Sequence, residues 1–221
     1  MAIQLVRRNQ PLIWLIPLFF IAIFISYFYL DRTIVYFFNG IDTRQYRLLT
    51  IAAEGVPALA VTFIVIMLLV HFYRYFCHSK SLLSPWIHIA IICCISNYIK
   101  SLLKKLFGRY FPDTWFCDNL SLLENDMYGF AGAYKLTNSS MPSGHLTLAT
   151  AFLLGLLFFF PSRWMRGVAI AGILLTFLGQ LSLYYHFLSD LLAGLLLGLT
   201  VVTIYTEFLT RIKNSSANPA S

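Results

Sequence analysis

Apolar residues predominate in six stretches of this chain, residues 12–30, 56–73, 85–103, 144–160, 167–184 and 191–210, and polar residues collect between them. Each stretch is close to the roughly 20 residues that an α-helix needs to cross a bilayer. The first is too long for the apolar region of a signal peptide and has no small-residue cleavage site before Asp31, so it reads as a retained anchor. The pattern predicts an all-α, six-span transmembrane helical bundle. We read residues 1–221 as a single integral membrane domain, with its motif-bearing region at 104–190 and a polar C-terminal tail at 213–221.

Composition agrees with this reading. Of the 221 residues, 59% are apolar and 11% charged, where a soluble domain carries about 25% charged residues. Those figures exclude a soluble enzyme, a disordered regulator and a nucleic-acid module, although the net charge is +7. A basic balance with so few charges fits basic loops at a membrane face better than a footprint for nucleic acid. Cys77, Cys93, Cys94 and Cys117 have no metal-binding spacing and read as free thiols.

An even number of spans puts both termini on one side. That side carries Arg7, Arg8, Arg74, Lys80, Arg163, Arg166, Arg211 and Lys213 in short loops, at nearly twice the basic density of the other side. It is therefore assigned to the cytoplasm. The opposite side has two longer loops, 31–55 and 104–141. In the first, the aromatic and aliphatic patch at 34–38 fits either an interfacial segment or an extension of the first span. In the second, Asp113, Trp115 and Tyr128 have nothing in the sequence to give them a role.

Three polar clusters fall at the outer ends of spans, so threading six spans brings them to one membrane face. The first runs from Lys104 to Pro112, where Lys104 and Arg109 can neutralise a phosphoryl group. Lys100 and Lys105 read as basic anchors at a span end. The second is Met141-Pro-Ser-Gly-His145. Ser139 and Ser140 suit helix capping and Pro142 a first turn. Ser143 and Gly144 would leave backbone amides open to a phosphate, and His145 could protonate a leaving oxygen. The third runs from Gly179 to Asp190. His186 and Asp190 are four apart, so on a helix they share a face. There the carboxylate can hold one imidazole nitrogen while the other attacks.

These residues resemble the type 2 phosphatidic acid phosphatases, which share their site with vanadium haloperoxidases. The family pattern is Lys-x6-Arg-Pro, then Pro-Ser-Gly-His, then Ser-Arg-x5-His-x3-Asp. Pro142–His145 match the second motif in full; Lys104 and Pro112 match the ends of the first, and His186 and Asp190 the end of the third. Two motif arginines are absent: Phe111 and Gln180 stand in their places, and Gly179 replaces the serine. Arg109, on the same side of an extended segment as Phe111, is expected to substitute for the first.

The resemblance implies a lipid-phosphate phosphatase with His145, His186 and Asp190 catalytic, and with Lys104, Arg109, Ser143, Gly144 and Gln180 holding the phosphate. Its substrate would be an amphiphilic phosphorylated lipid, taken from a bacterial cytoplasmic membrane at the periplasmic face. No carboxylate cluster is present to hold a metal, so no metal or cofactor is expected, nor a nucleic acid or an obligate protein partner. Two alternatives stay open: a lipid phosphotransferase using the same phosphohistidine, and a catalytically silent lipid-binding member.

Overall fold

The computed structural model describes residues 10–77, 84–114, 119–136 and 138–217. Of the positions named above, Arg7, Arg8, Lys80, Trp115 and Cys117 lie outside them, as do the last four residues of the expected tail. The described chain is helical throughout its regular structure, with no strand among the described residues.

Helix α1 (Gln10–Ile25) passes through a π-helical turn (Ser26–Leu30) into α2 (Asp31–Gly40), making one continuous span from Leu15 to Gly40. The patch at 34–38 therefore extends the first span, with Val35 buried. Helix α3 (Arg47–Cys77) begins six residues after α2, so the expected outer loop 31–55 shrinks to a short connection. Several of the charges within 31–55 belong to helices: Asp31 turns into the protein and Glu54 lines a cavity, while Asp42 and Arg44 stay in the connection. Helix α4 (Pro85–Phe107) starts with Pro85 in its first turn, where a missing N–H costs nothing, and stops at Gly108 in the left-handed region (φ 57°). The outer loop holds one short turn, α5 (Leu122–Asn125). Helices α6 (Gly144–Phe159), α7 (Arg163–Ser182) and α8 (Leu188–Ala217) complete the bundle, and α8 takes up the tail residues 213–217.

Five of the spans are long and apolar enough to cross a membrane; α6 is a shorter apolar helix of 16 residues. At 1.5 Å per residue it rises about 24 Å, against roughly 30 Å of hydrocarbon. It is short because it is central. α4, α7 and α8 pack around it, and residues 146–151 are buried. By contrast Phe20 and Phe24 on α1, and Leu59 and Leu69 on α3, are exposed apolar side chains, as a lipid-facing surface requires. The chain is a multi-pass membrane bundle.

Small residues let α8 approach α6. Gly194 and Gly198, four apart, face Ser143, Thr147 and Thr150; a β-carbon on Gly194 would lie 2.6 Å from the Ser143 carbonyl oxygen, and one on Gly198 2.7 Å from Thr150 Cβ. Thr147 Oγ1 donates to the Ser143 carbonyl (2.7 Å) within its own helix and lies 3.2 Å from the Gly194 carbonyl oxygen across the contact. Close backbone approach of this kind replaces the hydrophobic driving force that lipid cannot supply.

Gly198→Leu is expected to destabilise the bundle by about 1–3 kcal/mol through overpacking. Gly167→Ala, where nothing lies within 4 Å, is expected to leave stability unchanged or raise it by up to ~1 kcal/mol. Thermal unfolding in detergent micelles reads both; an unmoved midpoint for Gly198→Leu would contradict the tight contact.

Candidate active site

The α6 N-terminus is assembled by Ser143, whose hydroxyl accepts from Leu146 N. It, and not Ser139 or Ser140, is the cap. Those two serines instead pin the chain after α4: Arg109 N donates to Ser139 Oγ (2.8 Å) and Ser140 Oγ donates to the Tyr110 carbonyl (2.8 Å). Helix geometry leaves the amides of Gly144 and His145 without intrahelical acceptors, so they remain available to an anion.

His186 precedes α8 and does not lie within it. The turn that carries it includes Tyr184 in the left-handed region (φ 43°), an uncommon conformation for an aromatic residue. It is steadied by the Arg44 guanidinium, 4.0 Å from the Tyr184 ring centroid. Asp190, in the first turn of α8, reaches back so that Oδ2 accepts from Phe187 N (3.1 Å), the carboxylate half of a capping box. The same Oδ2 lies 3.6 Å from His186 Nδ1, an ion-pair distance longer than a hydrogen bond. Ser143 N donates to the Asp190 carbonyl (3.0 Å), tying the α6 terminus to the α8 terminus.

These ends surround a cavity of about 930 Å³. Lys104, Gly144, His145, Gln180 and His186 line it. Ser143 is buried beneath the α6 terminus and Asp190 behind His186. Lys104 Nζ donates to the Ser139 carbonyl (2.5 Å) and lies 5.4 Å from the Phe111 ring centroid. Lys100 and Lys105, read as span-end anchors, line the cavity as well. The Lys100 side chain crosses Gly144: a β-carbon there would sit 3.0 Å from Lys100 Cδ and 3.6 Å from its Nζ. Burial, with the Lys104 cation adding to it, holds the His186 imidazole below its ordinary pKa in spite of Asp190, so the ring is neutral at pH 7.

Arg109 is placed elsewhere. It is fully buried, does not line the cavity, and its guanidinium is engaged. Nη2 donates to Asp31 Oδ2 (2.8 Å), while Nη1 donates to Ser189 Oγ (2.6 Å) and to Asp190 Oδ1. Burial alone would lower its pKa, but Asp190 and Asp31 outweigh that and raise it, so the charge stays. Arg109 thus does not take the place of the arginine missing at 111. Phe111 is itself buried, its ring centroid 5.6 Å from that of His186.

The other missing arginine has been exchanged for packing. A β-carbon on Gly179 would lie 2.5 Å from Ala53 N, and Gln180 Nε2 donates to the Ala53 carbonyl (3.2 Å), drawing α3 onto α7. Gln180 Oε1 has no hydrogen-bond partner among the described residues.

Sequence reasoning missed Asp31, Ser189 and the place of Tyr128, which lies 3.3 Å from Asp31 Oδ2. A signal for Asp31 was present: a carboxylate beside an apolar span is costly without a partner. Asp113, the other acid noted in the outer loops, pairs with Arg44. Among the described residues no three His, Cys, Asp or Glu side chains gather in a metal-binding group.

The segment from α4 to α8 is the part of the chain that comparison with known proteins matches. A family model described as PAP2 superfamily matches residues 85–213, more than half of the chain. The chain belongs to the PAP2 superfamily. Its fold is similar to the crystal structure of a transmembrane PAP2-type phosphatidylglycerolphosphate phosphatase from Bacillus subtilis, with a TM-score of 0.58 and 14% identity over 91% of this chain and 96% of that one. No curated protein sequence matches the chain.

Gln180→Ala is expected to cost about 1–3 kcal/mol, because it leaves the buried Ala53 carbonyl without its donor. Thermal unfolding in micelles measures it, and a wild-type midpoint would mean that the amide does not join α3 to α7.

Proposed function

We propose that the chain is a lipid-phosphate phosphatase working through a phosphohistidine. The observation that supports this most directly is that His145, His186, Lys104 and the α6 N-terminus face one cavity, with Asp190 behind His186. Neutral His186, its Nδ1 side turned to Asp190, attacks phosphorus through Nε2. The N–P bond forms as the P–O bond to the lipid breaks, and His145, protonated at the start of the step, gives its proton to the departing alkoxide. Water then attacks the phosphohistidine, passing a proton to His145; the N–P bond breaks and inorganic phosphate leaves.

Lys104 and the amides of Gly144 and His145 hold the phosphoryl oxygens in this reading. Lys100, lying across Gly144, supplies cationic charge that Phe111 and Gln180 do not. Ser143 contributes by capping the helix that presents those amides. The wall formed by Pro57, Ala58, Val61 and Leu148 suits an acyl or prenyl chain, so the substrate is an amphiphilic lipid phosphate drawn from the membrane. In this reading the termini are cytoplasmic and the site is at the periplasmic face of a bacterial inner membrane, an orientation supported by the higher basic density of the terminal side. Phosphatidate, phosphatidylglycerophosphate, polyprenyl diphosphate and a phosphorylated glycolipid such as lipid A are the substrates to try; the Bacillus subtilis protein of similar fold is described as a phosphatidylglycerolphosphate phosphatase.

A silent lipid-binding member is the second reading, favoured by one observation: Phe111 and Gln180 stand packed where the family has phosphate-binding arginines. Phosphate release by purified protein, on that lipid panel with EDTA present, separates the two. Wild type is expected to release phosphate and His186→Ala to lose on the order of 10³-fold or more. Equal release by both proteins would defeat the enzymatic reading. Lys100→Met is expected to raise KM about 10- to 100-fold, the loss of one charge-assisted contact. An unchanged KM would return Lys100 to the role of a span-end anchor.

A further inference from the structure

We propose that Asp31, in the N-terminal span, is a positioning residue for His186 and acts on it through Arg109 and Asp190. The inference rests on His186 being the nucleophile, as proposed above. Asp31 lies outside the 85–213 segment that matches the family, so this contribution comes from the part of the chain that the family model does not cover.

Local structure first turns Asp31 inward. The π-helical turn Ser26–Leu30 immediately precedes it, with Asp31 N donating to the Ser26 carbonyl. One such turn inserts a residue into the helix and rotates everything after it. Asp31 is consequently fully buried while its neighbour Arg32 is exposed.

Asp31 then holds two partners. Its Oδ1 accepts from Ser189 N (3.0 Å), one of the first amides of α8, which have no intrahelical acceptor. It therefore caps, from another span, the helix that carries Asp190. Its Oδ2 accepts from Arg109 Nη2 and from Ser189 Oγ. Arg109 Nη1 donates to Ser189 Oγ and to Asp190 Oδ1, which leaves Asp190 Oδ2 to face Phe187 N and His186 Nδ1. The two oxygens of Asp190 are thereby given separate tasks, and the guanidinium fixes the rotation of the carboxylate.

Charge gives the second half of the argument. Arg109 with Asp190 alone would make a neutral pair and leave little negative charge for the imidazole. With Asp31 present, two carboxylates meet one guanidinium, and the cluster keeps a net charge of −1 facing His186. The ring becomes positive as it takes the phosphoryl group, so that charge stabilises the step. Rings exclude water from the cluster: the guanidinium carbon of Arg109 lies 4.4 Å from the Phe187 centroid and 5.0 Å from that of Tyr27. The other charged or titratable groups around His186 are Lys100, Lys104 and Lys105 on α4, His145 on α6, Glu54 on α3 and the adjacent Tyr185, all lining the same cavity.

The test is the titration of His186, followed by NMR of histidine-labelled protein in micelles, its resonance assigned by loss in His186→Ala. Asp31→Asn makes the cluster neutral and is expected to lower the His186 midpoint by roughly one unit. Arg109→Gln leaves −2 and raises the midpoint, and the double variant restores −1 and returns it toward wild type. That order is one a purely structural role would not produce. With phosphatidate in mixed micelles as the probe, Asp31→Asn is expected to lose roughly 10- to 100-fold in kcat with little change in KM, as when other partners that orient a catalytic imidazole are removed. A His186 midpoint unmoved by Asp31→Asn, or a double variant no closer to wild type than Asp31→Asn, overturns the proposal. Wild-type phosphate release by His186→Ala would instead overturn the proposed function, while the titration order stands or falls separately.

Discussion

A guanidinium with no exposed surface, Arg109, sits where three separate parts of the chain meet: the end of the first span, the outer loop and the start of the last helix. Removing such a charge from water costs several kcal/mol unless its donors are matched closely. Asp31, Asp190 and Ser189 match both ends of its fork. Because these partners come from separate helices, satisfying Arg109 aligns the start of α2 with the start of α8. The rest of the site is built on that alignment: α8 is capped by Asp31, Asp190 is held at His186, and the Asp190 carbonyl fixes Ser143 at the start of α6.

The three positions that depart from the family pattern take part in packing. Gly179 and Gln180 bring α3 against α7, an approach that a bulky charged side chain at 180 would oppose. Phe111 fills the space beside His186. In the proposed site, what remains for an anion is a helix terminus, with its open amides and favourable dipole, and lysines from α4. A lysine is a compact point charge on a flexible stem, so this clamp lacks the fixed bidentate geometry that an arginine fork provides.

Several elements are legible in the order of residues alone. Predominantly apolar runs give spans because a bilayer leaves the backbone few alternatives, and all six appear as helices, though the first and second run further into the outer loop than their charges suggested. The boundary error has a local cause: Asp31 and Glu54 look like loop residues because a sequence shows a charge without showing its partner. The cap of α6 was misplaced for a related reason. Ser139, Ser140 and Ser143 are all good caps by type, and only the fold shows that the first two bond to the chain after α4.

Spacing along the chain by itself determined the membrane class, the helical fold and the three motifs, because hydropathy and short-range periodicity are properties of neighbouring residues. It also put Lys104, His145 and His186 on one membrane face by simple threading. The surroundings of Arg109 were decided only by the tertiary structure. Its carboxylate partners lie 78 and 81 residues away in opposite directions, and Asp31 reaches Ser189 across 158 residues. No local pattern records which of a few cations will point into the cavity and which will turn inward to meet buried acids. That choice follows from the cost of an unpaired buried charge, summed over helices that meet only when the bundle closes.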